Sequence, residues 1–317
     1  ISSNNEQEKE YSIEQFQKDY SQLVEEKVVP ILLDYENERK TRLKWAIIIV
    51  TVLSIISVIL LFCVEGRSGV RLALFFISGA VVIWQLIKKN FENKIKPLIM
   101  PTLMQAIPGF YWKLTPPVTQ EEISESKIIP FTDRAHATFD DCFLGEYRNV
   151  NIAISECEYT ISSGNNASYI LTGLVIRIDM NKNFDGCTVI RPRNPHYRDK
   201  HDDLKRANLS EVKLEDPEFA DKYIVYSTDQ IEARYLITTS FMERFKAVEE
   251  AFGAQYTYCS FYGDSVYIAP DTAEDMFNLC SLTSPIYNTE QFETLFNEFA
   301  SVLELVDHFK LDKKLGL

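Results

Sequence analysis

The sequence is short of the signatures that announce chemistry. It has no GxSxG elbow, no Walker loop, no GxGxxG turn and no HExxH pair. Nothing therefore signals an activated serine, a nucleotide cradle, a dinucleotide site or a zinc-protease helix. Histidine is scarce, with four in 317 residues. The six cysteines, Cys63, Cys142, Cys157, Cys187, Cys259 and Cys280, include no CxxC pair and match no zinc template. They read as free, mostly buried thiols in a reducing compartment. Positive charge is also short: 33 Lys and Arg stand against 46 Asp and Glu, for a formal charge of −13. Such a balance offers no broad basic face to phosphate backbones, so nucleic acid is not an expected partner. The first residue is Ile1, not Met.

What the sequence does have is two long apolar runs. Residues 45–64, WAIIIVTVLSIISVILLFCV, contain no charge. A helix of that length spans about 30 Å, the thickness of a bilayer core. The run is too long and too far from the start for a signal peptide, and no small-residue cleavage site follows it. Residues 72–87, LALFFISGAVVIWQLI, form a second run, brought to spanning length by Val70 and a snorkelling Arg71. The short turn at 65–69 makes the pair a hairpin. Arg39, Lys40, Arg42 and Lys44 precede the first run, and Lys88, Lys89, Lys94 and Lys96 follow the second. Positive charge stays on the cytoplasmic side, so both termini are expected in the cytoplasm. No Asp, Glu, Lys or Arg lies mid-span, which argues against an ion path. Ser54, Ser57, Ser78, Gly79 and Ala80 are the small residues expected to let the helices approach, within the hairpin or between copies.

Flanking the hairpin are two arms. Ile13, Phe16, Tyr20, Leu23, Val24, Val28, Ile31, Leu32 and Tyr35 follow helical spacing over an acidic segment. Pro30 either kinks that helix or starts a second one. Phe91, Ile95, Leu98, Ile99, Leu103 and Ile107 form the other arm, which Pro97, Pro101 and Pro108 are expected to interrupt. The two arms read as a stalk. The expected order is an acidic arm at 1–44, spans at 45–64 and 70–87 around a turn at 65–69, an arm at 88–114, a linker at 115–127 and a domain at 128–317.

From 128 the pattern becomes α+β, an antiparallel sheet covered by helices. Residues 142–161 and 169–180, then CTVIRP, read as successive strands of a meander. YIVYS is another strand, with Asp216-Pro217 a turn before it and Asp229 a helix cap after it. Ser240 with Glu243 suggests a capping box. Residues 256–270 form a hairpin about Gly263-Asp264. Residues 289–311 form a long amphipathic helix with Phe292, Leu295, Phe296, Phe299, Leu303, Val306 and Phe309 on its core face.

The most polar loop, 191–206, gathers Arg191, Arg193, His196, Arg198, Lys200 and His201. It reads first as a solvated loop. The functional alternative is an anion or lipid-headgroup site, because forked guanidinium groups grip phosphate. A metal held by His196, His201 and Asp202 is weaker, since HxxxxH does not stack both rings on one helix face. Cys142 or Cys157 with His136 is the remaining nucleophile pairing, and nothing beyond their presence supports it. The charges of 214–237 read as a strand and helix surface rather than paired catalytic carboxylates.

The strings FLGEYRNVNIAISECEY, LTGLVIRIDMNKNFDGCTVIRP and LEDPEFADKYIVYSTDQIEARYLITTSFMERF occur in that order. They resemble a bacterial membrane-protein family, domain of unknown function 3137. The resemblance implies a two-span hairpin followed by this domain, and a helical membrane partner of the LemA type. It carries no catalytic residues. The sequence thus predicts an inner-membrane protein that binds a protein partner or lipid headgroups as an oligomer or in a multi-subunit assembly, with no cofactor and no metal. The alternatives are a membrane-anchored enzyme acting on a phosphate-bearing substrate and a structural subunit of an envelope or transport complex.

Overall fold

The computed structural model describes residues 13–64, 66–107, 109–130, 135–163, 166–180, 183–193, 202–273, 276–277, 279 and 281–309. Two compact units emerge: Ile1–Ile107 with Asn278–Phe296, and Pro108–Phe277 with Asn297–Leu317. The boundary drawn from sequence, at 115–127, falls inside the second unit. That segment holds a short capped helix with Ile123 and Ser126 buried.

The first unit is built on two long helices. Helix α1 (Ile13–Leu23) runs through a π-helical turn at Val24–Val28 into α2 (Val29–Cys63). Pro30 lies in the first turn of α2. A proline has no N–H to give and its ring pushes on the carbonyl four residues back. Widening the preceding turn relieves both, so the helix passes Pro30 without a break. Helix α3 (Arg67–Leu103) contains Pro97 and Pro101 in its interior, where the sequence predicted interruption. Both prolines lie on the exposed side. Carbonyls freed there can be solvated, while Phe91, Ile95, Ile99 and Leu103 hold the opposite side in the core. A helix of either length exceeds the bilayer core, and both are apolar enough to cross a membrane.

The arms do not stand alone as a stalk within this unit. Residues 281–296, assigned from sequence to the sheet domain, pack among them. Tyr20 lies 5.1 Å from Phe296 between ring centroids. The buried pair Glu36–Arg39 (2.8 Å) is tied to the same segment: Arg39 donates to Leu282 O at 2.7 Å, and Ile286 N donates to Glu36 at 3.2 Å.

The second unit is a nine-stranded sheet, antiparallel at every pairing, in the order β1-β2-β3-β4-β9-β8-β5-β7-β6. Its strands are β1 (Tyr111–Lys113), β2 (Ala135–Tyr147), β3 (Val150–Ser163), β4 (Asn166–Asp179), β5 (Cys187–Pro192), β6 (Ser210–Val212), β7 (Tyr223–Ser227), β8 (Tyr256–Tyr262) and β9 (Ser265–Asp271). The meander holds for β2 to β4, turning at Arg148 and Asn149, both with positive φ. It then breaks, because β4 pairs with β9 and β5 lies three places further along. One face of the sheet carries Ala153, Cys157, Tyr159 and Val175 under helix α4 (Gln120–Ser126). On the same face, α5 (Asp202–Arg206) covers Val189, Ile224 and Tyr226 with Leu204. The opposite face packs Phe143 against Phe277 and Phe299. It also carries α6 (Pro217–Lys222) and α8 (Thr239–Ala251) through Phe219, Tyr223 and Phe245. The remaining helices are α7 (Gln230–Leu236) and α9 (Glu290–Phe309).

Local signals resolve mostly as expected, with two corrections. Asp229 caps α7, accepting from Ile231 N and Glu232 N. Gly263 takes φ +62 in the β8–β9 turn. Thr238, not Ser240, caps α8 by accepting from Phe241 N, because the helix starts two residues earlier than the box would place it. Asp216-Pro217 is not a free turn but the cap and first residue of α6, with Phe219 N donating to Asp216 at 3.0 Å.

Candidate functional site

Of the six residues singled out in the polar loop, Arg191 and Arg193 are described; His196, Arg198, Lys200 and His201 lie outside the described residues. Arg191 sits on β5 facing inward and is 1% exposed. Its guanidinium donates to Ile128 O at 3.2 Å, to Lys127 O, and to Asp203 at 2.9 Å. It thus joins β5 to α5 and to the end of α4, where Lys127 adopts the left-handed conformation at φ +55. Arg193, at the end of the same strand, donates to Ala220 O at 2.6 Å and to Tyr223 O at 3.4 Å.

The thiols are set apart from histidine by strand alternation. His136 pairs with Thr160, while Cys157 pairs with Phe139. An odd separation along a strand points side chains to opposite faces. A bulge after Phe139 brings Cys142 onto the Cys157 face, so neither sulfur shares a face with His136. Burial pushes Cys142 and Cys157 up to about 12, and raises Cys187 and Cys259 as well. Thiols held that far from ionisation are poor nucleophiles.

In the first unit, Ser57 is buried and its Oγ donates across the hairpin to Ala73 O at 2.9 Å. Of the same small-residue set Ala80 is also buried, as are Ala46 and Ala73 on the two helices. Gly79 is half-buried, while Ser54 and Ser78 are exposed. Close approach is tightest at Gly69, where a Cβ would lie 2.1 Å from Val64 O.

A cleft of about 530 Å³ opens between α6 and α8 on the second face of the sheet. One side of it is made by the polar stretch 214–237, whose carboxylates read from sequence as surface. Capping by Asp216 starts α6 so that Glu218 and Lys222, four apart, share its outer side. From α8 come Lys246, Glu249 and Glu250. Lys246 pairs with Glu218 at 2.7 Å, and Lys222 pairs with the buried Glu249. Phe219 and Tyr223 form the wall, with ring centroids 5.1 Å apart, and Phe245 lies 5.1 Å from Tyr223. Thr257 N donates to the Tyr223 hydroxyl at 3.1 Å, and burial, with Glu249 nearby, holds that phenol far above its ordinary range. Glu218 likewise raises the Lys246 ammonium, which keeps the amine protonated and non-nucleophilic. The arrangement suits reversible recognition of a polar ligand with donors and acceptors, rather than covalent chemistry. Sequence reasoning missed it because both pairs join residues 27 and 28 apart, on a helix too short to announce itself and on one that is amphipathic.

Comparison with known proteins adds a partial match. Residues 169–311 match the model of a family described as protein of unknown function (DUF3137), a stretch that contains the whole α6–α8 cleft. No curated protein matches the chain. Among solved structures, the mycobacterial trehalose monomycolate transport factor A, TtfA, aligns over 63% of this chain and 88% of its own, at 12% identity and a TM-score of 0.31. A TM-score of that size does not indicate a shared fold.

Proposed function

We propose that this chain is a bacterial inner-membrane protein, anchored by the α2–α3 hairpin with both termini in the cytoplasm, whose sheet unit captures a protein partner within a larger membrane assembly. The observation that carries the reading is the outward side of the hairpin. Trp45, Ile48, Val52, Ile55, Ile59 and Phe62 of α2 are exposed, as are Leu72, Phe75, Val81 and Leu86 of α3. Water would not tolerate so continuous an apolar surface, whereas lipid solvates it. Charge gathers at one end of that surface: 36–44 and 88–96 together carry eight Lys and Arg against three Glu. Two orientation-sensitive measurements follow. With Cys63 replaced by Ala, Ser68→Cys in the hairpin turn reacts with a membrane-impermeant maleimide on intact cells, and Ser210→Cys on β6 reacts only after lysis. The opposite pattern removes the topology. For the binding role, capture of the full chain from gently solubilised membranes yields a companion protein in fixed ratio. Substituting Glu249→Gln, which unpairs Lys222 in the cleft, lowers that ratio at least several-fold; recovery of the chain alone, without a companion, removes the role.

A further inference from the structure

A second recess lies in the hairpin itself. Thr41, Arg42, Trp45, Leu86, Ile87 and Asn90 line a groove of about 400 Å³ between α2 and α3. Trp45 opens the first apolar run, and Leu86 and Ile87 close the second, so the groove sits at the level where a bilayer's hydrocarbon meets its headgroups. Its lower wall is apolar and open: Trp45 is 59% and Leu86 63% exposed. Its upper wall is polar and fixed. Arg42 Nε and Nη2 engage Glu38 at 2.9 and 2.8 Å, and Nη1 donates to Asn90 Oδ1 at 2.7 Å. The guanidinium plane also lies over the Phe91 ring, 5.6 Å from its centroid.

Two features leave this wall wanting an anion. Glu38 also accepts from Lys94 at 2.6 Å, so one carboxylate serves two cations and a positive charge remains. A guanidinium has five N–H groups. Three of those on Arg42 are engaged by Glu38 and Asn90, which leaves one on Nη1 and one on Nη2 for a further acceptor. Spare guanidinium N–H groups of that kind suit the oxygens of a phosphate. Asn90, accepting through Oδ1, presents its own NH2 beside them.

We infer that this groove binds one anionic phospholipid, its phosphate on Arg42 and Asn90 and an acyl chain along Trp45 and Leu86. The inference rests on the hairpin lying in a membrane. Local cation pairs at the cytoplasmic interface are a recognised way of holding anionic headgroups. The test uses the full chain in mild detergent, with native mass spectrometry reading bound lipid. Phosphatidylglycerol is expected to bind at least tenfold more tightly than phosphatidylcholine with the same chains. Arg42→Gln is expected to bring the two lipids within about twofold of each other. Arg42→Lys keeps a charge for Glu38 but has no fork, so it also loses most of the preference and stands in should Arg42→Gln fold poorly. Arg67→Gln, which removes one cation at the other end of the hairpin, leaves the preference intact. Equal binding of the two lipids by the native chain, or an undiminished preference in both Arg42 variants, overturns the site. Displacement of the lipid by equimolar glycerol 3-phosphate overturns it in favour of a soluble phosphate ester. Membrane fractionation separates the two claims: a chain that sediments with membranes yet shows no lipid preference loses only this site, and a chain found in the soluble fraction loses the anchor as well.

Discussion

Replacing Arg191 with Ala is expected to destabilise the protein by about 3–5 kcal/mol, the range for breaking a buried ion pair from one side. The residue is 1% exposed, and its loss strands Asp203 together with the carbonyls of Lys127 and Ile128. Each of those groups would then face the interior without the donor that now satisfies it. For the sheet unit this corresponds to a fall in melting temperature on the order of 10 °C. Thermal unfolding of the purified chain, followed by aromatic fluorescence, measures it. The double substitution Arg191→Met with Asp203→Leu is expected to recover part of the loss, because a well-packed apolar pair avoids the desolvation that the ion pair carries. A single variant that melts within about 2 °C of the native chain contradicts the structural role assigned to Arg191.

Acid is expected to loosen the first unit through Glu36. Arg39, first by hydrogen bond and then by charge, together with Ile286 N, lowers the Glu36 carboxyl from its ordinary 4.5 to about 2. A carboxyl with a depressed native value binds its proton more readily in the unfolded chain. Its stabilisation is therefore complete above about pH 4.5 and is lost as pH falls through 4.5 toward 2. Glu36→Gln should remove that dependence across the window. At neutral pH it should also weaken the unit by about 3 kcal/mol, since Arg39 stays buried with its carboxylate partner gone. Because the pair holds Leu282 and Ile286, the visible consequence is new proteolytic cleavage between 281 and 289 in the variant at pH 7, and in the native chain only in strong acid. A variant as resistant as the native chain at pH 7 would show that the segment is held by its apolar contacts alone.

The hairpin was legible because its signal is one-dimensional: an uncharged run of spanning length needs no partner to be recognised. Strands β2 to β4 were legible for a similar reason, since each pairs with the next in sequence. The β4–β9 pairing was not, because the choice of neighbour depends on contacts some ninety residues apart. Helix α9 shows the limit of periodicity. Phe292, Leu295, Phe296 and Phe299 do form a buried face, yet residues up to Phe296 belong with the arms and those after it with the sheet. A hydrophobic stripe states that it is covered, not by what. Pro97 and Pro101 misled because propensity was weighed without knowing which side of the helix faced solvent. Arg191 misled in the other direction: a cation in a basic stretch looks solvated until strand alternation turns it inward. The α6–α8 cleft needed two helices to be brought together before its charges could be seen as pairs.

The edges of the sheet bear on how copies of the protein can meet. Both outermost strands, β1 and β6, are three residues long, while β3 and β4 at the interior reach 14. Strand β1 shields β2 only at Cys142–Leu144, and the stretch of β2 beyond it is interrupted by the bulge after Phe139. A neighbouring chain offered this rim finds only short aligned runs, broken at the bulge after Phe139. Growth by sheet addition is thereby discouraged at both ends. Contacts between copies are steered away from the sheet rim and toward the helical surfaces.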